Sequence, residues 1–130
     1  MRQNKIMAVI ATLALGMSAL SASAQDFPVK KTITLMVGFA AGGATDTAAR
    51  VIAKKLGENL GQTVVVENEG GAGGNIAHQY TASGPTDGSL LLFGSAGPLT
   101  IAPRLMKLPY DPVKDLAPIT MGVNFPNVLV

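Results

Sequence analysis

Two glycine-rich segments hold the residues best suited to chemistry, GFAAGGATD at Gly38–Asp46 and GGAGGN at Gly70–Asn75. Each follows a β-branched apolar run and precedes a stretch with helical spacing, so each reads as a loop leaving the carboxyl end of a strand. Glycine lets the backbone come close to a ligand. The first N–H groups of the following helix lack partners within it and carry partial positive charge. An anion is stabilised there without a basic side chain, and two such loops side by side make a mostly neutral cradle for carboxylate or phosphate. Either segment alone could be a plain tight turn; the pair favours a site.

Nucleotide motifs do not fit these loops. Gly38 and Gly43 have the separation of a Walker loop, but Ala44 stands where its lysine is needed to reach the phosphates. A dinucleotide fingerprint starting at Gly71 and Gly73 would place its third glycine at Ile76. Asp46 has two readings: a carboxylate in the first helical turn, where the dipole suits it, or an acceptor facing a ligand ammonium or hydroxyl group. Thr45 reads as the helix N-cap. Ser95 and Ala96 lie in a third strand-end loop, GSAGP, but G-S-A-G is not a nucleophile elbow. His78 is the single histidine, and no motif sets it up as a base or ligand. It reads as a surface residue or a satisfied polar group. With no nucleophile, base or metal set, no cofactor is called for and an enzyme is the minority reading.

Three strand–loop units must position these residues. Thr32–Val37 reads as a strand buried on both faces of a parallel sheet. From Thr45 to Leu60, Ala49, Ile52, Ala53, Leu56 and Leu60 share one helical face, while Arg50, Lys54, Lys55 and Glu58 fall elsewhere. Gly61 sits where such a helix ends. Thr63–Glu67 is the second strand, and Asn75 is placed to cap a short helix to about Ala82. Ser83–Gly88 has turn chemistry, and Ser89–Phe93 is the third strand. Leu99–Leu105 reads as a short helix, LPYDPVKD as loop, and Ala117–Val123 and Asn127–Val130 as further strands. Alternating strands and crossover helices imply an α/β fold with a parallel sheet.

The amino terminus carries a different signal. Arg2 and Lys5 precede an uncharged apolar stretch from Ile6 to Leu20, and Ala22-Ser23-Ala24 follows. That order is a secretory signal peptide, with cleavage expected after Ala24 and no stable membrane anchor. Residues 1–24 form the signal, and residues 25–130 the first part of a domain. The chain has 10 Lys+Arg and 8 Asp+Glu, but Arg2 and Lys5 leave with the signal. The exported part is then neutral overall, which gives no support for a nucleic-acid partner. No cysteine is present, so neither a disulfide nor a cysteine metal site holds the fold. The run from Asn127 to Val130 reads as a strand still in progress, which points to a truncated chain.

The ordered set F-x-A-G-G-A-T-D, V-V-V-E-N, G-A-G-G-N-I, T-D-G-S-L-L, L-P-Y-D-P-V-K-D-L-A-P-I-T and P-N-V-L-V covers residues 27–130. It resembles the periplasmic substrate-binding receptors of tripartite tricarboxylate transporters, the Bug family. The resemblance implies a monomeric two-domain Venus flytrap of the periplasmic-binding-protein type, without cofactor or metal, with the second domain absent here. It implies that a small carboxylate, such as a di- or tricarboxylate, is captured in the periplasm for membrane permease subunits. The ligand would be held at Phe39, Ala40, Ala41, Gly42, Gly43, Thr45 and Asp46, at Gly71, Ala72, Gly73, Gly74 and Asn75, and beside Ser95 and Ala96. Where the family often has P-F-P-A-G-G this chain has Gly38 and Ala40, and Glu69-Gly70 replaces a frequent Arg-Pro. Fewer prolines imply looser empty loops. Glu69 either weakens carboxylate binding, favouring ligands that also carry positive charge, or points to solvent. The competing readings are an exported enzyme for a small anionic substrate, with its catalytic residues in the missing half, and a non-functional receptor fragment.

Overall fold

The computed structural model describes residues 31–125 and 129. The expected signal peptide and most of the strand expected at Asn127–Val130 therefore lie outside the described residues. Three parallel strands form the sheet, in the order β2-β1-β3: β1 is Ile33–Val37, β2 Val64–Asn68 and β3 Leu90–Phe93. In the register, Leu35 lies between Val66 and Leu91, and Val37 between Asn68 and Phe93. The central position of β1 explains its near-continuous apolar run, since side chains on both of its faces need cover.

Helix α1, Ala44–Leu60, follows β1 and lays Ala49 and Ala53 on Leu35 and Val37. Val64, Val66, Leu91 and Phe93 close the same cluster from the flanking strands. Small alanines on the buried stripe let the helix axis approach the sheet, while Arg50, Lys54, Lys55 and Glu58 stay exposed, as the spacing predicts. Gly61 ends α1 in the left-handed conformation with its N–H on the Gly57 carbonyl, the expected stop. Helix α2, Asn75–Ala82, follows β2 and packs against β3 and β1, burying Ala77 and His78. Asp87 organises the turn before β3: it accepts the Ser89 N–H and hydroxyl, and pairs with Lys31 at the start of β1 at 3.0 Å.

Three local expectations are corrected. Thr45 is not the N-cap of α1; Gly43 is, in extended conformation and without a side-chain cap. The register is set by Asp46, whose carboxylate reaches back to the Gly42 N–H at 2.8 Å and so starts the helix before Thr45. Gly74, not Asn75, is the N-cap of α2, because the left-handed turn there suits glycine; Asn75 is already helical and donates from its side chain to the Ala72 carbonyl. Ala117–Val123 forms no strand. Its residues are exposed and pair with neither edge of the sheet, and it crosses the domain where Gly122 lies against Phe93 and Ile52. The Leu99–Leu105 helix is found in two pieces, a wide helical turn at Gly97–Ile101 running into α3, Ala102–Leu105.

Candidate functional site

All three strands of a parallel sheet end on the same edge, so the loops after β1, β2 and β3 are neighbours by topology. Their backbones meet at Gly74, which is buried. A side-chain carbon placed on Gly38 would lie 3.0 Å from the Gly74 Cα and 3.1 Å from its oxygen. One placed on Gly74 would lie 3.3 Å from Pro98 and 3.6 Å from the Phe39 ring. The first, second and third loops therefore touch at one point, and only hydrogen fits between the first two. Gly74 also has a φ of 96°, which side chains rarely adopt.

The first loop is held by a charged network. Asp46 is buried, and its carboxylate accepts hydrogen bonds from the Gly42 N–H (2.8 Å), Arg50 Nε (2.9 Å) and Asn68 Nδ2 (2.9 Å). Asn68 Nδ2 also donates to the Phe39 carbonyl at 3.0 Å, and Arg50 Nη2 donates to Asn68 Oδ1 at 3.1 Å. The Arg50 guanidinium, then the Gly42 amide and the Asn68 side chain, hold the Asp46 pKa down to about 2. Of the two readings of Asp46, the structure places it in the first helical turn, with its oxygens turned into the protein. Its role there is to shape Phe39–Gly43 while the start of α1 keeps its N–H groups free of any side-chain cap. Phe39, Ala40, Ala41, Gly42 and Gly43 are exposed along this edge, and Thr45 is half-buried behind them.

The second loop turns on consecutive left-handed residues, Ala72 among them at φ 49°. Gly71, Ala72 and Gly73 are exposed and Asn75 is half-buried. The start of α2 likewise has no side-chain cap. The third loop brings Ser95 and Ala96 alongside. The Ser95 hydroxyl is shielded from solvent and has no hydrogen-bond partner, a polar atom left over in the third loop. Glu69 is exposed, and its N–H continues the β1–β2 ladder to the Val37 carbonyl at 2.9 Å. Side-chain hydrogen bonds tie the first and second loops.

Sequence reasoning missed four residues that build this edge: Arg50, Asn68, His78 and Tyr110. His78 is fully buried, with Nδ1 2.8 Å from the Gly74 carbonyl and Nε2 accepting the Ser95 N–H at 3.3 Å. Of its two expected environments, the satisfied polar one is found. Tyr110 is buried from the loop after α3, and its hydroxyl lies 2.9 Å from Asn75 Oδ1 and 3.2 Å from the Pro98 carbonyl. Only the Asp46–Arg50 pair had a readable signal, its i,i+4 spacing on one helix. A separate, shallow concavity of about 720 Å³ lies along Leu99–Asp115 and has no glycine-loop residue in its lining. Among the described residues, no three His, Cys, Asp or Glu side chains cluster as metal ligands. No helix among them is long and apolar enough to cross a membrane.

Residues 48–130 match the tripartite tricarboxylate transporter family receptor. BugT of Bordetella pertussis (strain Tohama I) is 41% identical over 133 residues, covering 100% of this chain and 40% of the relative. A protein of Pseudomonas sp. (strain P51) encoded between tcbD and tcbE is 38% identical, and 37% of its length is covered. The chain thus spans about two fifths of these relatives. Among solved structures, Rhodopseudomonas palustris Rpa4515 with adipate superposes with a TM-score of 0.61 at 41% identity, over 68% of this chain and 29% of that one. MatC from the same organism, with bound malate, superposes with a TM-score of 0.56 at 41% identity, over 68% and 30%. The matched proteins are binding receptors and not enzymes, with an α/β domain and parallel sheet of the periplasmic-binding-protein type. By its sequence match and its fold, this chain belongs to the tripartite tricarboxylate transporter receptor family.

Proposed function

We propose that this chain is the carboxylate-cradling part of an exported solute receptor, which hands a small di- or tricarboxylate, or a related organic acid, to membrane permease subunits. The observation that carries this reading is the meeting of three strand-end loops at Gly74, with two helix starts beside them that no side chain caps. An arriving carboxylate supplies an acceptor to first-turn N–H groups that no side chain caps, and the helix dipoles favour its charge. The residues assigned to it are Phe39–Gly43, Thr45, Gly71–Asn75, and Ser95 with Ala96. Asp46 contributes by shaping the first loop. The unpartnered Ser95 hydroxyl supplies a donor from the third loop. The adipate and malate bound by two structural relatives are ligands of the proposed class. Residues 1–24 act as the export signal, removed after Ala24, and the receptor works as a monomer in the periplasm.

Amide NMR tests the reading on the chain as it stands. Weak, millimolar binding corresponds to only about 4 kcal/mol, well within the reach of one half of a cleft. Malate added to on the order of 10 mM is expected to shift the amides of Gly42, Gly43, Gly73, Ile76 and Ala96 more than those of α1 beyond its first turn. Shifts confined to surface lysines, or none at these loops with malate, adipate or a tricarboxylate, would sink the proposal.

A further inference from the structure

The buried imidazole of His78 lies between two of the three loops, and its two nitrogens do opposite jobs. Nδ1 faces a carbonyl, that of Gly74, at 2.8 Å, so it must carry the proton. Nε2 faces an N–H, that of Ser95, at 3.3 Å, so it must be bare. One neutral tautomer satisfies both contacts at once. We propose that His78 is a positioning residue that staples the second glycine loop to the third in its Nδ1–H neutral form, and that its protonation opens the staple and weakens ligand binding.

The surroundings leave the staple little room to adjust. A side-chain carbon on Gly94 would lie 3.4 Å from His78 Nε2 and 3.1 Å from Leu99, so the third loop rests directly on the ring edge. Tyr110 stacks on the imidazole with centroids 6.3 Å apart and planes inclined at 30°. Its hydroxyl makes a second link between the same two loops, from Asn75 to Pro98. Tyr110 is also the titratable group facing His78 from the segments packed on it. Burial raises the phenol's pKa, so it stays neutral and offers no counter-charge to an imidazolium. Among the described residues no charged side chain shifts His78; burial lowers its pKa and the Gly74 carbonyl partly offsets that.

Protonating Nε2 replaces an acceptor with a donor aimed at another N–H. The Ser95 amide then loses its partner, and the Ser95 and Gly74 backbones are free to separate. The folded protein resists this proton and the unfolded chain does not. The staple's stabilising effect is therefore complete above the unfolded imidazole's pKa of about 6.5 and drains away as pH falls below it. The contact itself opens only once pH reaches the folded ring's lowered pKa. A receptor built this way grips its ligand less firmly in an acidified medium. That last step rests on the carboxylate reading of the loops; the staple itself does not.

His78 is the single histidine, so its ring signals are unambiguous. Long-range proton–nitrogen NMR at pH 8 is expected to show the Nδ1–H tautomer, and on acidification the Ser95 amide should move with the same midpoint as the ring. An Nε2–H tautomer, or a Ser95 amide indifferent to the ring titration, would overturn the staple. Malate titrations at pH 7.5 and at a pH below the ring's own NMR midpoint then compare the wild type with His78→Gln, whose amide oxygen accepts the Ser95 N–H but does not titrate. The wild type should lose about tenfold more affinity than the variant, the scale of one unpaired buried N–H, and the ratio cancels malate's own protonation. Equal losses in both proteins would overturn the ligand coupling. Malate leaving every loop amide unmoved at pH 7.5, while Ser95 tracks the ring, would sink the carboxylate reading and leave the staple supported. His78→Phe keeps the ring volume, and should weaken binding at both pH values without adding pH dependence.

Discussion

The closest backbone contact in the candidate site gives its sharpest test, Gly38→Ala. Gly38 is buried, and its backbone is not in the left-handed region, so alanine meets no torsional obstacle. On chain entropy alone, Gly→Ala at such a position stabilises by about 0.4–1 kcal/mol. Against this stands the added methyl group, 3.0 Å from the Gly74 Cα and 3.1 Å from its oxygen. Both obstacles are backbone atoms, fixed by the Gly71 and His78 hydrogen bonds on either side. The second loop must therefore shift by a few tenths of an ångström. Overpacking of this kind costs about 1–3 kcal/mol, so the net effect is a loss of about 1–2 kcal/mol, or roughly 5–10 °C in melting temperature for a domain of this size. Gly97→Ala is the matched control: nothing lies within 4 Å of the added carbon, and the residue is helical, so it should gain about 0.5 kcal/mol. Thermal unfolding followed by circular dichroism reads both. If Gly38→Ala melts at or above the wild-type temperature, the loops do not touch at Gly74 as described.

Three further outcomes follow from the networks. The Asp46 carboxylate has a depressed pKa, so its contribution is complete above the ordinary carboxylate range and is lost as pH falls from about 4 towards about 2. Asp46→Asn should remove that segment of the acid-unfolding curve and sharpen proteolysis at Phe39–Gly43; an unchanged acid limb would count against the network. Tyr110→Phe removes the single hydroxyl proton shared between Asn75 Oδ1 and the Pro98 carbonyl, and should cost about 1 kcal/mol in urea unfolding. A neutral result there would mean that water replaces the hydroxyl. Asn68→Ala should loosen the first loop without disturbing the second, seen as faster amide exchange at Gly42 but not at Gly74.

What the sequence made legible was whatever depends on period and glycine. The β-branched runs, the apolar stripe of α1 and its Gly61 stop were found within a residue or two, because burial and backbone freedom are local properties of the residues concerned. The positions of the loops followed from the order of strand and helix. Helix starts were misplaced by one or two residues because Thr45 and Asn75 have the right side chains for caps, while the backbone chose Gly43 and Gly74. At Gly43 that choice goes with a contact four residues on, Asp46 with Gly42, and at Gly74 with a left-handed turn, neither of which propensity contains. The strand expected at Ala117–Val123 failed for a related reason: an apolar stretch becomes a strand only when a partner edge accepts it, and this one lies exposed and unpaired. His78 and Tyr110 were opaque. They are separated by about thirty positions in the chain and acquire meaning only when folding lays them against each other.

The loops are held by two chemistries that respond to acid in different ranges, and this bears on how the site would come apart. The first loop hangs on a carboxylate that is stabilised by an arginine and two amides and stays ionised until its pKa of about 2 is approached. The second and third are joined through an imidazole that must remain neutral, and whose environment supplies no counter-charge for a proton. Destabilisation through His78 sets in below about pH 6.5, where the unfolded chain begins to bind the proton. Destabilisation through Asp46 waits for about pH 4, for the same reason. The onset of acid destabilisation therefore comes from the imidazole, at a pH where Asp46, Arg50 and Asn68 still shape Phe39–Gly43. Since all three loops meet at Gly74, loss of the His78 contact also frees the residue on which the first loop leans.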